Sequence, residues 1–230
     1  MFNGLVQLDE NLEVQPDIAR EWKISEDGLD YVFTLRDDIY FHKSEVFGSQ
    51  RSRKVVAADF VYSFNRLIDP ELASPGGWVL QNVKDYYAKD NLTLVIRMHK
   101  SFPAFLGLLS MRYCSVVPHE AVTQQGAQFR KRPIGTGPFQ FQFWEEDVKL
   151  VLRKNPQFYE KDELGIPLPY LESIAIQFIP DIQSEFMLFL QGKLDFLNSI
   201  DTSYKDELLT ATGSLQPKYQ SKINKSNCIF

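Results

Sequence analysis

Three histidines and two cysteines are all the imidazole and thiol groups in this chain. His42, His99, His119, Cys114 and Cys228 are scattered, and no closely spaced pairs fit a zinc site. The sequence holds no Gly-x-Ser-x-Gly elbow, no P-loop and no His-Glu-x-x-His helix. Carboxylates are plentiful, but spacing alone pairs none of them for acid–base work. The expectation is therefore no catalytic residues, no metal and no cofactor. Two stretches offer other chemistry. Pro133-Ile134-Gly135-Thr136-Gly137-Pro138-Phe139 has the composition of a phosphate cradle. Such a cradle must feed a helix N-terminus, however, and here a proline and an alternating strand follow. Its glycines are expected to let the backbone turn sharply. Arg51, Arg53 and Lys54 are candidates for a phosphate site or a solvated loop, and the polar stretch Glu45 to Lys54 favours the loop.

The elements around these residues follow from periodicity. Trp22 and Ile24, then Tyr31, Phe33 and Leu35, alternate with polar neighbours on either side of Asp27-Gly28. This predicts an antiparallel hairpin with an aromatic core face. Ala57 to Ile68 places Phe60, Phe64, Leu67 and Ile68 on one helical face, with Asp69-Pro70 as the stop. A second hairpin is expected over Val83–Ala88 and Leu92–Met98, and a short helix over Ser101–Leu109. Tyr113 to Val117 should be a strand, with a helix beginning at Pro118. Two strands follow the Gly-Thr-Gly-Pro stretch, over Phe139–Trp144 and Val148–Asn155. Leu171–Ile179, Ser184–Gln191 and Lys193–Leu197 then read as strand, helix and strand, which implies parallel pairing. Asn198, Ser199 and Ile200 leave the carboxyl end of that last strand, where α/β sheets place ligands. The alternative is a simple loop with Asp201 or Thr202 as a helix cap.

Three ordered patterns resemble the family 5 extracellular solute-binding proteins, the peptide-, dipeptide- and nickel-binding receptors of ABC importers. The first is Pro16-x-Ile18-Ala19-x-x-Trp22-x-x-Ser25-x-Asp27-Gly28-x-x-Tyr31-x-Phe33-x-Leu35-Arg36. The second is Gly135-Thr136-Gly137-Pro138-Phe139 with its following strands and Asn155-Pro156. The third is the strand–helix–strand unit around Gly192 and Asp195. The resemblance implies an α/β fold: one lobe of a type II periplasmic-binding-protein-like fold, with a mixed sheet and an inserted α+β subdomain. On that reading residues 1–39 are the first part of lobe I, 40–132 the inserted subdomain and 133–230 the second part up to the hinge. The second lobe is expected to be absent, and the chain to be trimmed or a fragment. The sheet is expected to join the N-terminal segment to residues from about 133 onward.

The same resemblance implies a ligand cleft bordered by Asn3, Gly4 and Leu5, with Asn198, Ser199 and Ile200 contacting a peptide backbone. Asn3 stands where the family usually has an acidic residue. For Gly4, close packing is the competing explanation. The implied function is extracytoplasmic capture of di- or oligopeptides and delivery to an ABC permease. A nickel chelate, haem or sugar in the same fold, or a stand-alone interaction domain, are the alternatives. The implied location is periplasmic or cell-surface, with membrane attachment only through a lipid anchor or the permease.

Composition agrees with a globular protein. The 230 residues suffice for a proper core, and 24% charged residues is ordinary. The formal charge of −5 and the lack of a basic stripe argue against nucleic acid. No apolar run reaches the ~20 residues of a membrane span. No secretory signal follows Met1. Two cysteines are too few for a disulfide framework, and Cys114 is expected to be an inert buried thiol.

Overall fold

The computed structural model describes residues 1–219. β1 (Val6–Leu8) and β2 (Val14–Pro16) form a short antiparallel ribbon. Asp9 closes it by accepting from the Asn11 and Glu13 N–H groups and from Gln15 Nε2. Such side-chain caps are why Asp favours turns. The expected hairpin follows as β3 (Ala19–Ile24) and β4 (Asp30–Leu35), with Trp22 opposite Phe33. Gly28 supplies the positive φ of +69° that the turn needs. Tyr31, Phe33 and Leu35 are buried, whereas Trp22 is half-buried and Ile24 is exposed. The difference arises because β3 is an edge strand.

The hairpin does not join residues after 133. Its partner is β6 (Thr93–Met98), which pairs in turn with β5 (Val83–Ala88), giving an antiparallel sheet in the order β3-β4-β6-β5. The expected sheet is corrected accordingly. α1 (Ala57–Leu67) covers β5 and β6 with Phe60, Phe64 and Leu67 buried. Ile68, expected inward, lies past the last turn and is exposed. α2 (Phe105–Leu109) sets Phe105 edge-on against Tyr31, with centroids 5.3 Å apart, and packs against β1. Residues 113–117 are not a strand. They form a 3-10 turn at Arg112–Cys114 and then an extended run. Val116 N–H donates to the Asn3 carbonyl and Val117 N–H to Ser63 Oγ, so this run bonds to a loop and a helix instead of a ladder. α3 (His119–Gln125) follows Pro118 as expected.

Residues 45–54 are less solvated than expected. Glu45–Gln50 wind into 3-10 turns, and Arg53 turns inward. Its guanidinium donates to both Asp59 oxygens at 2.7 and 2.8 Å and also grips Glu120. The Phe41 and Phe47 rings lie 4.9 and 5.7 Å from it. Burial pulls the Arg53 pKa down, but the two carboxylates outweigh it and hold the pKa above its usual value.

A third sheet runs β7-β8-β9 through Phe139–Glu145, Lys149–Lys154 and Ser173–Gln177. The described residues divide into two compact units, one of 1–144 with 150–175 and one of 145–149 with 176–219. Neither break falls at residue 40 or 133. In the second unit α4 (Ile182–Leu190) is capped by Asp181, which accepts from Ser184 N–H at 2.7 Å, and ends before Gly192 at φ +71°. The strand expected at 193–197 does not form among the described residues. Leu197 instead packs on the small core of Phe186, Leu208, Leu215 and Tyr219, which α5 (Lys205–Leu208) helps to close. The parallel crossover read from the sequence is therefore absent. Cys114 is buried, and burial pushes its thiol up to about 12. Cys228 lies outside the described residues.

Candidate functional site

A cleft of ≈ 380 Å³ opens in the first unit. Its lining includes Asn3, Gly4, Gln7, Asp17, Ser110, Arg112 and Ser115. Asn3 reaches it because the Gly-Thr-Gly-Pro stretch wraps around the first residues. A Cβ on Gly135 would meet the Met1 carbonyl oxygen at 2.3 Å, and one on Gly137 the Met1 carbonyl carbon at 2.7 Å. Neither glycine has a positive φ. Close approach of two backbones, and not the sharp turn expected from the sequence, is what these positions require.

The wrap is held by two buried polar side chains. The Gly137 carbonyl accepts from Asn155 Nδ2 at 3.0 Å and from His42 Nε2 at 2.9 Å. Gly135 N–H donates to His42 Nδ1, so that nitrogen is the acceptor and Nε2 carries the proton. Burial pushes the His42 pKa down to about 4, only partly offset by the Gly137 carbonyl.

Asn3 is the centre of a shared network. Its Nδ2 donates to both Asp17 oxygens at 3.0 and 3.2 Å, and its Oδ1 accepts from Thr136 Oγ1 at 2.9 Å. Asp17 also accepts from Gly4 N–H and, at 2.6 Å, from the Tyr159 hydroxyl. Asp17 is only 4% exposed. Burial raises its pKa, while Tyr159, Asn3 and Gly4 pull it back. Burial and the neighbouring Asp17 push the Tyr159 hydroxyl well above its ordinary range, so it stays a donor. The Arg36 guanidinium stacks 4.5 Å from the Tyr159 ring. Asn3 thus stands where an acidic residue was expected, and Asp17 brings a carboxylate to the same place.

Arg112, also in the cleft lining, is exposed, and its guanidinium lies 5.6 Å from the Tyr113 ring. It forms no ion pair among the described residues. The cleft therefore carries a carboxylate, an uncommitted guanidinium and the Ser115 hydroxyl. That set can hold a polar ligand but offers no nucleophile with an adjacent base. No cluster of three or more His, Cys, Asp or Glu side chains could hold a metal among the described residues.

Of the residues singled out from the sequence, Asn3 and Gly4 line this cleft. A Cβ on Gly4 would come within 3.2 Å of the Leu109 carbonyl, so close packing also explains that glycine. Leu5 does not line it. Its side chain is fully buried in the core, which corrects that expectation. Asn198, Ser199 and Ile200 belong to the second unit. The first two are exposed, and Ile200 packs on the Phe186 core. Asp17, Arg112, Ser115 and Tyr159 were missed. Pro16-x-Ile18 had already marked the stretch around Asp17, but only as the start of the pattern that carries the family resemblance.

A profile of the bacterial extracellular solute-binding proteins, family 5, matches residues 13–227. The probable di/tripeptide-binding protein 5 of Pseudomonas aeruginosa is 29% identical over 212 residues, covering 84% of this chain and 38% of that protein. The chain thus spans well under half the length of this relative. The periplasmic binding protein DppA from Helicobacter pylori, solved with the peptide STSA, superposes with a TM-score of 0.79 at 26% identity. The match covers 90% of this chain and 42% of that one. NikZ from Campylobacter jejuni, solved with Ni(L-His), gives 0.74 at 28% identity, over 90% and 39% of the two chains.

Proposed function

The chain belongs to the bacterial extracellular solute-binding proteins of family 5, and from that premise we propose that it captures short peptides outside the cytoplasm and hands them to an ABC permease. Members of this family are binding proteins, and the fold is a lobe of the type II periplasmic-binding-protein architecture. The observation that carries the peptide reading is the paired charge of the cleft. Asp17, buried and hydrogen-bonded to Asn3, Gly4 and Tyr159, contributes negative potential to the lining, and Arg112 adds a guanidinium with no ion pair among the described residues. A free peptide carries an ammonium and a carboxylate, and complementary charge of both signs favours such a ligand over a neutral one. Ser115 and the Asn3 edge leave hydrogen-bonding groups between the two.

On this reading Asn3 and Gly4 border the ligand, and Asn198, Ser199 and Ile200 form a second contact set. The described residues act as one lobe of a receptor that closes on its ligand. The location is periplasmic or at the cell surface, with a lipid anchor or the permease as the membrane attachment, and no catalysis is involved. Mass spectrometry of molecules that co-purify with the protein, followed by calorimetry with those molecules, tests the proposal. Recovery of di- or tripeptides that bind saturably is expected. Recovery of a nickel chelate or haem, with no heat from peptides, would overturn it.

A further inference from the structure

A second cleft, of ≈ 420 Å³, adjoins the first and shares Phe2, Arg112 and Ser115 with it. Its other wall is the last turn of α1 and the loop after it, including Arg66, Leu67 and Leu72. No aspartate or glutamate lines it. Arg66 is half-buried, yet it makes no ion pair and no side-chain hydrogen bond among the described residues. An arginine in a last helical turn often serves the helix dipole by bonding the terminal carbonyls. Arg66 bonds none of them, so this explanation accounts for its position but not for its free fork. Ser115 likewise has no hydroxyl partner among the described residues. Two guanidiniums line one cleft, and among the described residues neither has the counter-charge that Arg53 has.

We propose that this second cleft is an anion site in which Arg66 and Arg112 take the carboxylate of a ligand whose apolar stem lies against Leu67, Leu72 and Pro75. The planar fork of arginine matches a carboxylate bidentately. The apolar walls lower the local dielectric, which strengthens each charge-assisted bond. The Ser115 hydroxyl is a further donor. This site stands whether or not the first cleft takes a peptide, because Arg66 lines only the second.

The test is a titration of the chain, by calorimetry and by two-dimensional NMR, with N-acetyl-L-leucine, its uncharged amide and inorganic phosphate. Saturable binding of N-acetyl-L-leucine is expected, with shifts at Leu67 and Ser115 and at least tenfold weaker binding of the amide. Arg66→Gln and Arg112→Gln should each weaken the carboxylate at least tenfold. Arg66→Lys, which keeps the charge but not the fork, should weaken it less, and melting curves report whether each variant is folded. Equal binding of acid and amide, or unchanged binding in folded Arg66→Gln, would overturn the proposal. Phosphate binding better than the carboxylate would overturn the assigned ligand class. Peptide binding that persists in Arg66→Gln while N-acetyl-L-leucine is lost would support the second site and leave the first untouched.

Discussion

Arg53 and Arg112 are the same side chain under opposite conditions. Arg53 is clasped by Asp59 and Glu120 beside two phenylalanine rings. Arg112 leans on one tyrosine and forms no ion pair with a carboxylate among the described residues. Around Arg53 every charge is answered within the chain, and the result is a rivet joining the loop before α1 to the start of α1 and α3. Around Arg112 the answer is left open, and the result is a surface that gains energy only when something arrives. Charge that the fold has already neutralised holds structure together, whereas charge it leaves exposed is available for recognition.

The sharpest way to break this contrast is Arg53→Met. It strands Asp59, whose side chain is 3% exposed, without its counter-charge. Breaking a buried pair from one side costs roughly 3–5 kcal/mol. Chemical denaturation should show that loss, and a midpoint unchanged by the substitution would show that the cluster is not a rivet. Acid should act next. His42 has a folded pKa of about 4 against ~6.5 unfolded, so the unfolded chain binds the proton more readily in that window. Stability from His42 is then fully present above pH 6.5 and is lost as the pH falls toward 4, by about 3 kcal/mol in all. Asp17 works the other way, since its raised pKa means the folded chain takes up its proton first. His42→Gln should flatten the stability profile between pH 6.5 and 4; an unchanged slope would remove His42 as its source.

Asp17→Asn comes third. The new amide would turn a donor toward Asn3, Gly4 or Tyr159, each of which already donates. A loss of about 1–3 kcal/mol is expected from the mispaired buried group. Equilibrium unfolding checks it, and a neutral result would mean that Tyr159 and Asn3 re-pair without cost. The smallest effect belongs to Arg112→Gln. It should move stability by no more than about 0.5 kcal/mol, as surface substitutions usually do. Its thermal midpoint should match the parent chain while ligand binding falls, and a large drop in midpoint would make Arg112 another structural residue.

Local pattern carried much of the fold. Two hairpins, α1 and the strands after the Gly-Thr-Gly-Pro stretch were legible because each has a period and a stop within its own sequence. Pairing between distant segments was not legible. Nothing in Tyr31-x-Phe33-x-Leu35 says that Ile96 and Leu94 will lie beside it and not a strand after 133. The alternation at 193–197 read as a strand, but Leu197 is taken by the Phe186 core and no neighbour among the described residues offers a ladder. The site shows the same division. Asn3 and Gly4 could be named from the resemblance, whereas Asp17 and Tyr159 become part of it only through contacts that cross the chain.

The wrap of Gly135 and Gly137 around Met1 also has a meaning in time. Thr136 meets Asn3 across 133 positions, and Tyr159 meets Asp17 across 142. Loops that long close late, because their entropy must be lost before any contact rewards it. On a ribosome, where the chain emerges from its N-terminal end, the hairpin of β3 and β4 can form early, yet Asn3 and Asp17 have only each other and Gly4 as partners until Thr136 and then Tyr159 have emerged. The cleft is therefore finished among the last parts of this unit, and a nascent chain stopped short of Tyr159 would carry the walls of the site without the network that orients them.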